Sequence, residues 1–228
     1  MTNQFSKALL VVAKRPAPGQ TKTRLTPYLS PEKAAALYEC FLKDTIALMR
    51  KVQAVQPVLA YLPAGEEPYF RLLAPDFELI LQDGDDLGPR LDNATMDYLE
   101  RGFQQVVIMD SDSPTLPVEY LEEAYLVLDE EVDLVLGPCD DGGYYLIGMK
   151  QPVPRLLREV QMSTPHVVAQ TLELAAQEGL KTHLLPRWYD VDSADELARL
   201  KLELAMSADI FAKDSIAVHT RSFLEQYT

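Results

Sequence analysis

The chain has little cysteine, little positive charge and no long apolar run. Its 228 residues include only two cysteines, Cys40 and Cys139, which are too few and too far apart for a disulfide framework or a zinc site. Lysine and arginine number 21 against 35 acidic residues, a formal net charge of −14, which argues against polymeric nucleic acid or an anionic membrane as partner. The N-terminal apolar run is too short for a membrane span and lacks a signal-peptide cleavage region. We therefore expect no membrane span and a cytoplasmic location.

Apolar runs alternate with amphipathic segments along most of the chain. Continuous apolar strands that alternate with helices are typical of a parallel sheet covered by helices on both faces. The link Asp140–Gly143 is too short for a crossover helix, so one strand is expected to run antiparallel to its predecessor. The predicted strands are 7–13, 56–61, 77–81, 105–110, 132–137, 144–149 and 181–185, and the main predicted helices are 31–52, 67–73, 117–128, 163–178, 194–206 and one that ends near 103.

A basic loop follows the first predicted strand, in the stretch VVAKRPAPGQTKTRL. This stretch contains Lys14, Arg15, Lys22 and Arg24 but no acid, and Gly19 allows a tight turn within it. Cations in a glycine-containing turn between strand and helix can neutralise a polyphosphate. The loop is not a Walker A motif, because Thr21 rather than a glycine stands directly before Lys22. A solvated basic loop is the alternative, but the position after the first strand favours phosphate binding.

Acidic pairs follow three later strands. The ligand crevice of an open α/β sheet lies outside the carboxyl ends of its strands, so these pairs and the basic loop should meet at one edge. Mg²⁺ is usually held by one or two carboxylates together with substrate phosphates, which makes Asp112 and Asp192 candidate metal ligands. Each could instead cap the helix that follows it. The pairs are Asp110 with Asp112, Asp140 with Asp141, and Asp190 with Asp192.

The stretch Asp140-Asp141-Gly142-Gly143 combines adjacent carboxylates with two glycines. Glycines let a backbone approach a neighbouring group closely, whereas adjacent carboxylates repel each other. A tight hairpin explains the glycines but not the two acids. We expect Asp140 or Asp141 to orient the hydroxyl or phosphate group of an acceptor.

Five elements together resemble a bacterial family of the nucleotide-diphospho-sugar transferase (GT-A) superfamily. They are AKRPAPGQTKTRL, DLGPR from Asp86 to Arg90, DSDSP from Asp110 to Pro114, GPCDDGGYY from Gly137 to Tyr145, and DVDS from Asp190 to Ser193. The chain is also similar to the guanylyltransferases of molybdenum-cofactor and phospholactate metabolism. On this likeness Asp112 and Asp192 correspond to the metal-binding acids. The family usually has a tryptophan where Met162 stands here, so a wall of the acceptor pocket differs.

The resemblance implies a single-domain, Rossmann-like α/β/α sandwich whose mostly parallel sheet contains one antiparallel strand. We expect the transferase domain to span residues 1–206 and a C-terminal helical arm to span 207–228, with Phe211–Tyr227 as a candidate homodimer contact. The predicted site comprises Lys22, Arg24 and Asp141 as catalytic residues, Lys14, Arg15, Gly19, Lys22, Arg24, Arg90, Asp140, Gly142 and Gly143 as nucleotide-binding residues, and Asp112 and Asp192 as ligands of Mg²⁺ or Mn²⁺.

Three functions fit these residues. The first is metal-dependent nucleotidyl transfer from a nucleoside triphosphate to a small-molecule acceptor by in-line attack, in which Lys22 and Arg24 stabilise the leaving pyrophosphate. The second is glycosyl transfer from a nucleotide-diphospho-sugar donor. The third is nucleotide binding without turnover. The basic loop favours the first function, because a triphosphate carries more charge to neutralise.

Overall fold

The computed structural model describes residues 5–207 and 216–227, and its centre is a seven-stranded sheet. The strands are β1 (Lys7–Lys14), β2 (Gln56–Leu62), β3 (Glu78–Leu81), β4 (Gln105–Met109), β5 (Leu134–Pro138), β6 (Tyr144–Met149) and β7 (Thr182–Leu184). Their order is β3-β2-β1-β4-β6-β5-β7. β6 runs antiparallel to both its neighbours, whereas all other adjacent strands are parallel. The predicted α/β fold with one antiparallel strand is confirmed.

Helices cover both faces of this sheet because successive side chains of a strand point to opposite faces. Leu9 and Val11 of β1 belong to one apolar core, and Ala8 and Leu10 belong to the other. The first core also includes residues of α1 (Pro31–Met49), α2 (Glu67–Leu73), α4 (Val118–Asp129), α7 (Ala194–Ser207) and α8 (Val218–Gln226). The second includes residues of α3 (Leu87–Glu100), α5 (Arg155–Arg158) and α6 (Val167–Gln177). No described helix is long and apolar enough to cross a membrane.

The capping residues in the sequence predict the start of α1 correctly, but the predicted start of α6 is wrong. Ser30 Oγ accepts a hydrogen bond from the Lys33 backbone N–H at 3.3 Å, and Pro31 occupies the first turn of α1, as predicted. α6 begins at Val167 rather than at Ser163. The reason is that Ser163 has a left-handed backbone (φ 61°), and Thr164 Oγ1 donates to the Gln161 carbonyl at 2.9 Å, so this segment forms turns.

The link between β5 and β6 is a tight hairpin. The Cys139 N–H donates to the Gly143 carbonyl at 2.8 Å, and Gly142 has a φ of 92° that favours glycine. The Val168 N–H donates to the Gly142 carbonyl at 3.0 Å, which joins this hairpin to α6. The hairpin explains why β6 runs antiparallel to β5.

The C-terminal helix α8 packs on α1 through a buried carboxylate. Asp44 accepts hydrogen bonds from the backbone N–H groups of His219 (3.0 Å) and Thr220 (2.8 Å) at the start of α8. Asp44 thus supplies the cap that the first turn of α8 needs. The predicted boundary between residues 206 and 207 stays a prediction. The predicted homodimer contact Phe211–Tyr227 lies partly outside the described residues, since 208–215 are not described.

Replacing Asp44 with alanine is expected to lower the free energy of unfolding by about 1–2 kcal/mol, because two N–H groups lose their acceptor. Asp44→Asn is the matched control, since its amide oxygen still accepts one of these bonds and its loss should be smaller. Urea unfolding of the two variants measures the difference. Equal losses would contradict the capping role of the Asp44 carboxylate.

Candidate functional site

A cavity of about 400 Å³ lies at the carboxyl ends of β1 and β4. The loops after β1, β3 and β4 and the segment before α7 contribute to its wall, so it opens at the edge where the sequence predicted a ligand crevice. Five predicted site residues line it: Lys14, Lys22, Arg90, Asp112 and Asp192. Basic and acidic members of the predicted site therefore meet in one cavity.

The Lys22 ammonium lies between the two predicted metal ligands. Its Nζ is 3.0 Å from Asp112 Oδ2 and 2.7 Å from Asp192 Oδ1, and its side chain is only 4% exposed. Arg24 Nη1 contacts the other oxygen of Asp192, Oδ2, at 3.3 Å. One ion-pair network thus joins residues that the sequence analysis assigns separately to phosphate and to metal.

The basic loop is fixed at several points before it reaches these acids. The Thr21 hydroxyl donates to the Ala17 carbonyl at 3.2 Å, and Leu25 is fully buried in the core. Lys22 itself has a left-handed backbone (φ 50°, ψ 42°), which is uncommon for a residue other than glycine. It stands directly before a short 3-10 helix, Thr23–Leu25. The backbone therefore turns at Lys22.

The acids are positioned by bonds between the loop after β4 and the segment before α7. The Val191 N–H donates to the Asp112 carbonyl at 3.0 Å, and Ser113 Oγ donates to the Tyr189 carbonyl at 3.1 Å. Glu196 of α7 accepts a bond from the Asp192 N–H at 3.1 Å. These bonds hold Asp112 and Asp192 against the same ammonium group.

Lys22 and Asp192 are both charged in this arrangement. Burial alone would lower the pKa of Lys22, but the carboxylates of Asp112 and Asp192 outweigh it and raise the pKa above its ordinary value. Burial would likewise raise the pKa of Asp192, yet the nearby charges of Lys22 and Arg24 lower it. The site thus holds an ion pair whose lysine is buried and whose aspartate is partly exposed.

Asp112 keeps one oxygen free for another partner. Its Oδ1 is buried and makes no hydrogen bond within the described part of the chain. Burial raises the pKa of Asp112, Lys22 opposes this effect, and the negative charge of Asp192 adds to it. An unpaired buried carboxylate oxygen is costly, and oxygen is the ligand that Mg²⁺ prefers. The free Oδ1 of Asp112 therefore offers a ligand atom to a divalent cation, whereas both oxygens of Asp192 contact Lys22 or Arg24.

Asp110 supports the loop that carries Asp112. Its Oδ1 accepts from the Asp112 N–H at 3.3 Å, and its Oδ2 lies 3.2 Å from Ser113 Oγ. Burial raises the pKa of Asp110 well above its ordinary value, and the negative charges of Asp112 and Asp190 raise it further. Asp110 thus fixes the turn on which Asp112 stands.

Of the three predicted phosphate-binding arginines, Arg15 and Arg90 have partners other than the carboxylates that contact Lys22, and Arg24 is exposed. Arg15 stacks on Tyr69 at 3.4 Å from the ring centroid. Arg24 is 71% exposed. Arg90 donates to the carbonyls of Gly84 (2.8 Å) and Asp85, so it braces the loop after β3 while lining the cavity. Gly19 has a φ of 72° in the basic loop, as its predicted turn requires.

The acids of the β5–β6 hairpin point to other partners. Asp140 pairs with Arg199 at 2.7 Å, and Asp141 Oδ1 accepts from the Gly143 N–H at 2.8 Å. Neither acid is among the residues that line the cavity, nor are Gly142 and Gly143. Asp141 instead forms a compact group with Cys139 and Asp190, whose potential ligand atoms lie within 4.8 Å of one another.

Sequence reasoning missed Tyr38, Gln82 and Ser111, which also line the cavity. The Tyr38 hydroxyl accepts from the Lys14 N–H at 3.2 Å and lies 2.9 Å from Ser111 Oγ. The Gln82 amide donates to the carbonyls of Ala13 (3.2 Å) and Ala60 (2.8 Å), which ties the ends of β1 and β2 together. Gln82 directly follows a predicted strand, so its position was a usable signal, whereas Tyr38 lies within a helix.

Asp190→Asn is expected to stabilise the metal-free protein at pH 7.5 by about 2 kcal/mol. Burial, with the charges of Asp141 and Asp192, raises the pKa of Asp190 to about 6. The native state then binds this proton more tightly than the unfolded state, so the ionised group destabilises the fold above pH 6. The gain should shrink as the pH falls from 6 to 4. Urea unfolding in EDTA at several pH values measures it, and a gain independent of pH would contradict the assignment.

Known structures provide the first comparison for this site. A crystal structure from Desulfovibrio desulfuricans G20, described as a "putative nucleotide-diphospho-sugar transferase", is 29% identical with a TM-score of 0.87, and the match covers 97% of this chain and 95% of that one. This likeness, over nearly the whole chain, confirms the predicted superfamily and the predicted enzyme class, a transferase.

Two more distant structures share the fold. CMP:2-keto-3-deoxy-manno-octonic acid synthetase in complex with CTP has a TM-score of 0.56 at 12% identity, with 88% of this chain and 99% of that one covered. Rv0371C from Mycobacterium tuberculosis H37Rv in complex with manganese has a TM-score of 0.52 at 15% identity, with 87% and 98% covered.

Sequence comparison identifies a family. No curated protein sequence matches the chain. Residues 45–164, which are more than half of the chain, match the family described as "Uncharacterized protein conserved in bacteria (DUF2064)". This matched region contains Asp112 and the β5–β6 hairpin, whereas Lys22 and Asp192 lie outside it. The chain belongs to the DUF2064 family.

Proposed function

We propose that this chain is a nucleotidyltransferase that depends on Mg²⁺ or Mn²⁺. An oxygen of a small-molecule acceptor would attack the α-phosphorus of a nucleoside triphosphate, the bond to the β-phosphate oxygen would break, and pyrophosphate would leave. The observation that carries the proposal is the buried Lys22 ammonium in the cavity, in contact with the carboxylates of Asp112 and Asp192. Such a set can bind phosphate oxygens and a divalent cation side by side.

The lysines and arginines of the basic loop differ in how directly they would contact the phosphates. Lys22 and Lys14 line the cavity, which supports a role in neutralising the β- and γ-phosphates and the charge that develops on pyrophosphate. Arg24 is exposed beside Asp192, and Arg15 lies against Tyr69, so both are outer contacts for the same phosphates. Transfer of a phosphoryl group depends mainly on such positioning and electrostatic stabilisation.

Asp112 and Asp192 would hold the divalent cation. When bound, the cation would neutralise phosphate charge and polarise the reacting phosphorus. The unpaired buried Oδ1 of Asp112 supports this role. The manganese complex of Rv0371C, a protein of the same fold, is compatible with it.

The β5–β6 hairpin is the proposed acceptor side of the site. Gly142 packs so closely on Pro165 that a Cβ at this position would lie 2.1 Å from the Pro165 carbonyl oxygen. Pro165 is two residues from Ser163, which lines the cavity. Asp140 and Asp141 thus stand on a hairpin that packs against the segment next to Ser163, from which they could orient an acceptor.

Glycosyl transfer from a nucleotide-diphospho-sugar is the second candidate. The description of the 29% identical structure from Desulfovibrio desulfuricans favours it. The same residues would hold the diphosphate and the cation, and the bond that breaks would join the sugar to the diphosphate.

A thermal-shift screen tests the proposal. Nucleoside triphosphates and nucleotide-sugars are compared with and without Mg²⁺ in the wild type, in Lys22→Ala and in the control Lys181→Ala. The exposed Lys181 directly precedes the edge strand β7 and is not among the residues that line the cavity. We expect Mg²⁺-dependent stabilisation by triphosphates that only Lys22→Ala loses. A larger shift with a nucleotide-sugar would favour glycosyl transfer. No Mg²⁺-dependent shift with any compound would contradict both functions.

A further inference from the structure

We propose that Lys22 is a resident counter-cation that competes with the divalent metal for Asp112 and Asp192, so that the metal binds tightly only when a phosphate draws Lys22 away. This inference rests on the proposed function, since it takes the metal site and the phosphate site from it. It adds that the metal and the nucleotide bind to the site cooperatively.

Lys22 occupies oxygens of both carboxylates that would hold the metal. Its Nζ contacts Asp112 Oδ2 at 3.0 Å and Asp192 Oδ1 at 2.7 Å. Arg24 contacts the second oxygen of Asp192 at 3.3 Å. Both oxygens of Asp192 therefore already have a cationic partner, whereas Asp112 keeps its Oδ1 free. A cation that bridges the two carboxylates has to displace Lys22 or Arg24 from Asp192.

The burial and the positive charge of Lys22 oppose binding of a divalent cation beside it. The Lys22 side chain is 4% exposed, so water cannot simply replace its two carboxylate partners. If Lys22 stayed, a divalent cation would lie beside an ammonium group in a partly buried cavity, where like charges repel strongly. If it left, the ammonium would need another anion. A phosphate group in the cavity is such an anion, because Lys14 already offers it a second cation there.

A linkage between metal and nucleotide follows from this exchange. A phosphate that withdraws Lys22 frees the carboxylates for the metal, and a bound metal frees Lys22 for the phosphate. Each ligand must therefore raise the affinity for the other by the same factor. The metal alone should bind weakly to the wild type.

Calorimetric titration with Mn²⁺ alone, without nucleotide, tests the competition directly. Lys22→Met removes the charge but keeps much of the apolar chain, and we expect it to bind Mn²⁺ at least tenfold more tightly than the wild type. Arg24→Met removes an exposed charge from the same loop and leaves the Lys22 bridge in place, so its effect should be smaller than threefold. The double variant Lys22→Met/Asp112→Asn should lose the gain. Equal or weaker Mn²⁺ binding by Lys22→Met would overturn the proposal.

A second measurement uses the wild type, in case Lys22→Met does not fold. An acetylating reagent modifies only an exposed, uncharged amine, so the buried ammonium of Lys22 should react slowly in the metal-free protein. Millimolar Mn²⁺ should speed its acetylation at least tenfold, as followed by mass spectrometry, and leave the exposed Lys33 unchanged. Unchanged or slower acetylation of Lys22 in Mn²⁺ would contradict its displacement.

The outcomes separate this inference from the proposed function. Tight Mn²⁺ binding by Lys22→Met without any nucleotide-dependent shift in the wild type would support the competition and contradict nucleotidyl transfer. Mg²⁺-dependent nucleotide binding by the wild type without tighter Mn²⁺ binding by Lys22→Met would do the reverse.

Discussion

Asp112→Asn is expected to lower the rate of nucleotide-dependent transfer about 1,000-fold, which corresponds to about 4 kcal/mol of lost transition-state stabilisation. Asparagine keeps the size of the side chain but removes the charge that would hold a divalent cation. It also removes the carboxylate that contacts Lys22 at 3.0 Å. The rate of pyrophosphate release from the triphosphate that gives the largest thermal shift is the measurement.

The fold should survive this substitution. Burial raises the pKa of Asp112, so a neutral side chain relieves an unfavourable buried charge, and Asp192 still pairs with Lys22. Urea unfolding should therefore show no loss of stability greater than about 1 kcal/mol. Asp97→Asn is the matched control for charge, since Asp97 is an exposed carboxylate on α3 that pairs with Arg101 across one helical turn. A rate for Asp112→Asn within tenfold of the wild type would contradict its role.

Gly142→Ala is expected to produce the largest loss of stability among single methyl additions in the hairpin. The added Cβ would lie 2.1 Å from the Pro165 carbonyl oxygen, and the backbone at Gly142 has a φ of 92°. The left-handed backbone costs about 1–2 kcal/mol for a residue with a side chain. The steric overlap adds about 1–3 kcal/mol, because backbone rather than a flexible side chain must move.

Gly65→Ala separates these two costs. Gly65 has the same φ of 92°, but apart from its two neighbours in the chain no described residue lies within 4 Å of the position its Cβ would take. We expect Gly65→Ala to show only the backbone cost in urea unfolding, and Gly142→Ala to show both. If the two variants lose equal stability, the close contact between the hairpin and the loop before α6 is not a significant constraint.

The sheet, and the sheet edge at which Lys22 and the acids lie, could be predicted from the sequence. Apolar runs located all seven strands, because buried strands of a parallel sheet are apolar on both faces. The rule that ligands bind at the carboxyl ends of such strands brought Lys22, Asp112 and Asp192 to one edge. The short hairpin link correctly predicted the antiparallel strand.

The contacts within the site could not be predicted in the same way. A sequence does not specify the path of the basic loop, so the bridge from Lys22 to both carboxylates was invisible in it. Asp141 bonds to its own hairpin, and Asp140 bonds to Arg199, which lies far away in the sequence. Tyr38 enters the cavity from the interior of α1, where its spacing is that of any core residue. Long-range side-chain partners decide these details.

Crystals grown with Mn²⁺ and a non-hydrolysable nucleoside triphosphate test the proposed site most directly, because the anomalous signal of manganese locates the metal. We predict one Mn²⁺ in direct contact with Asp112 and Asp192, and a phosphate oxygen in contact with the Lys22 ammonium, which has left the carboxylates. Mn²⁺ bound instead by Cys139, Asp141 and Asp190, or a triphosphate with no contact to Lys22, would contradict the proposed site.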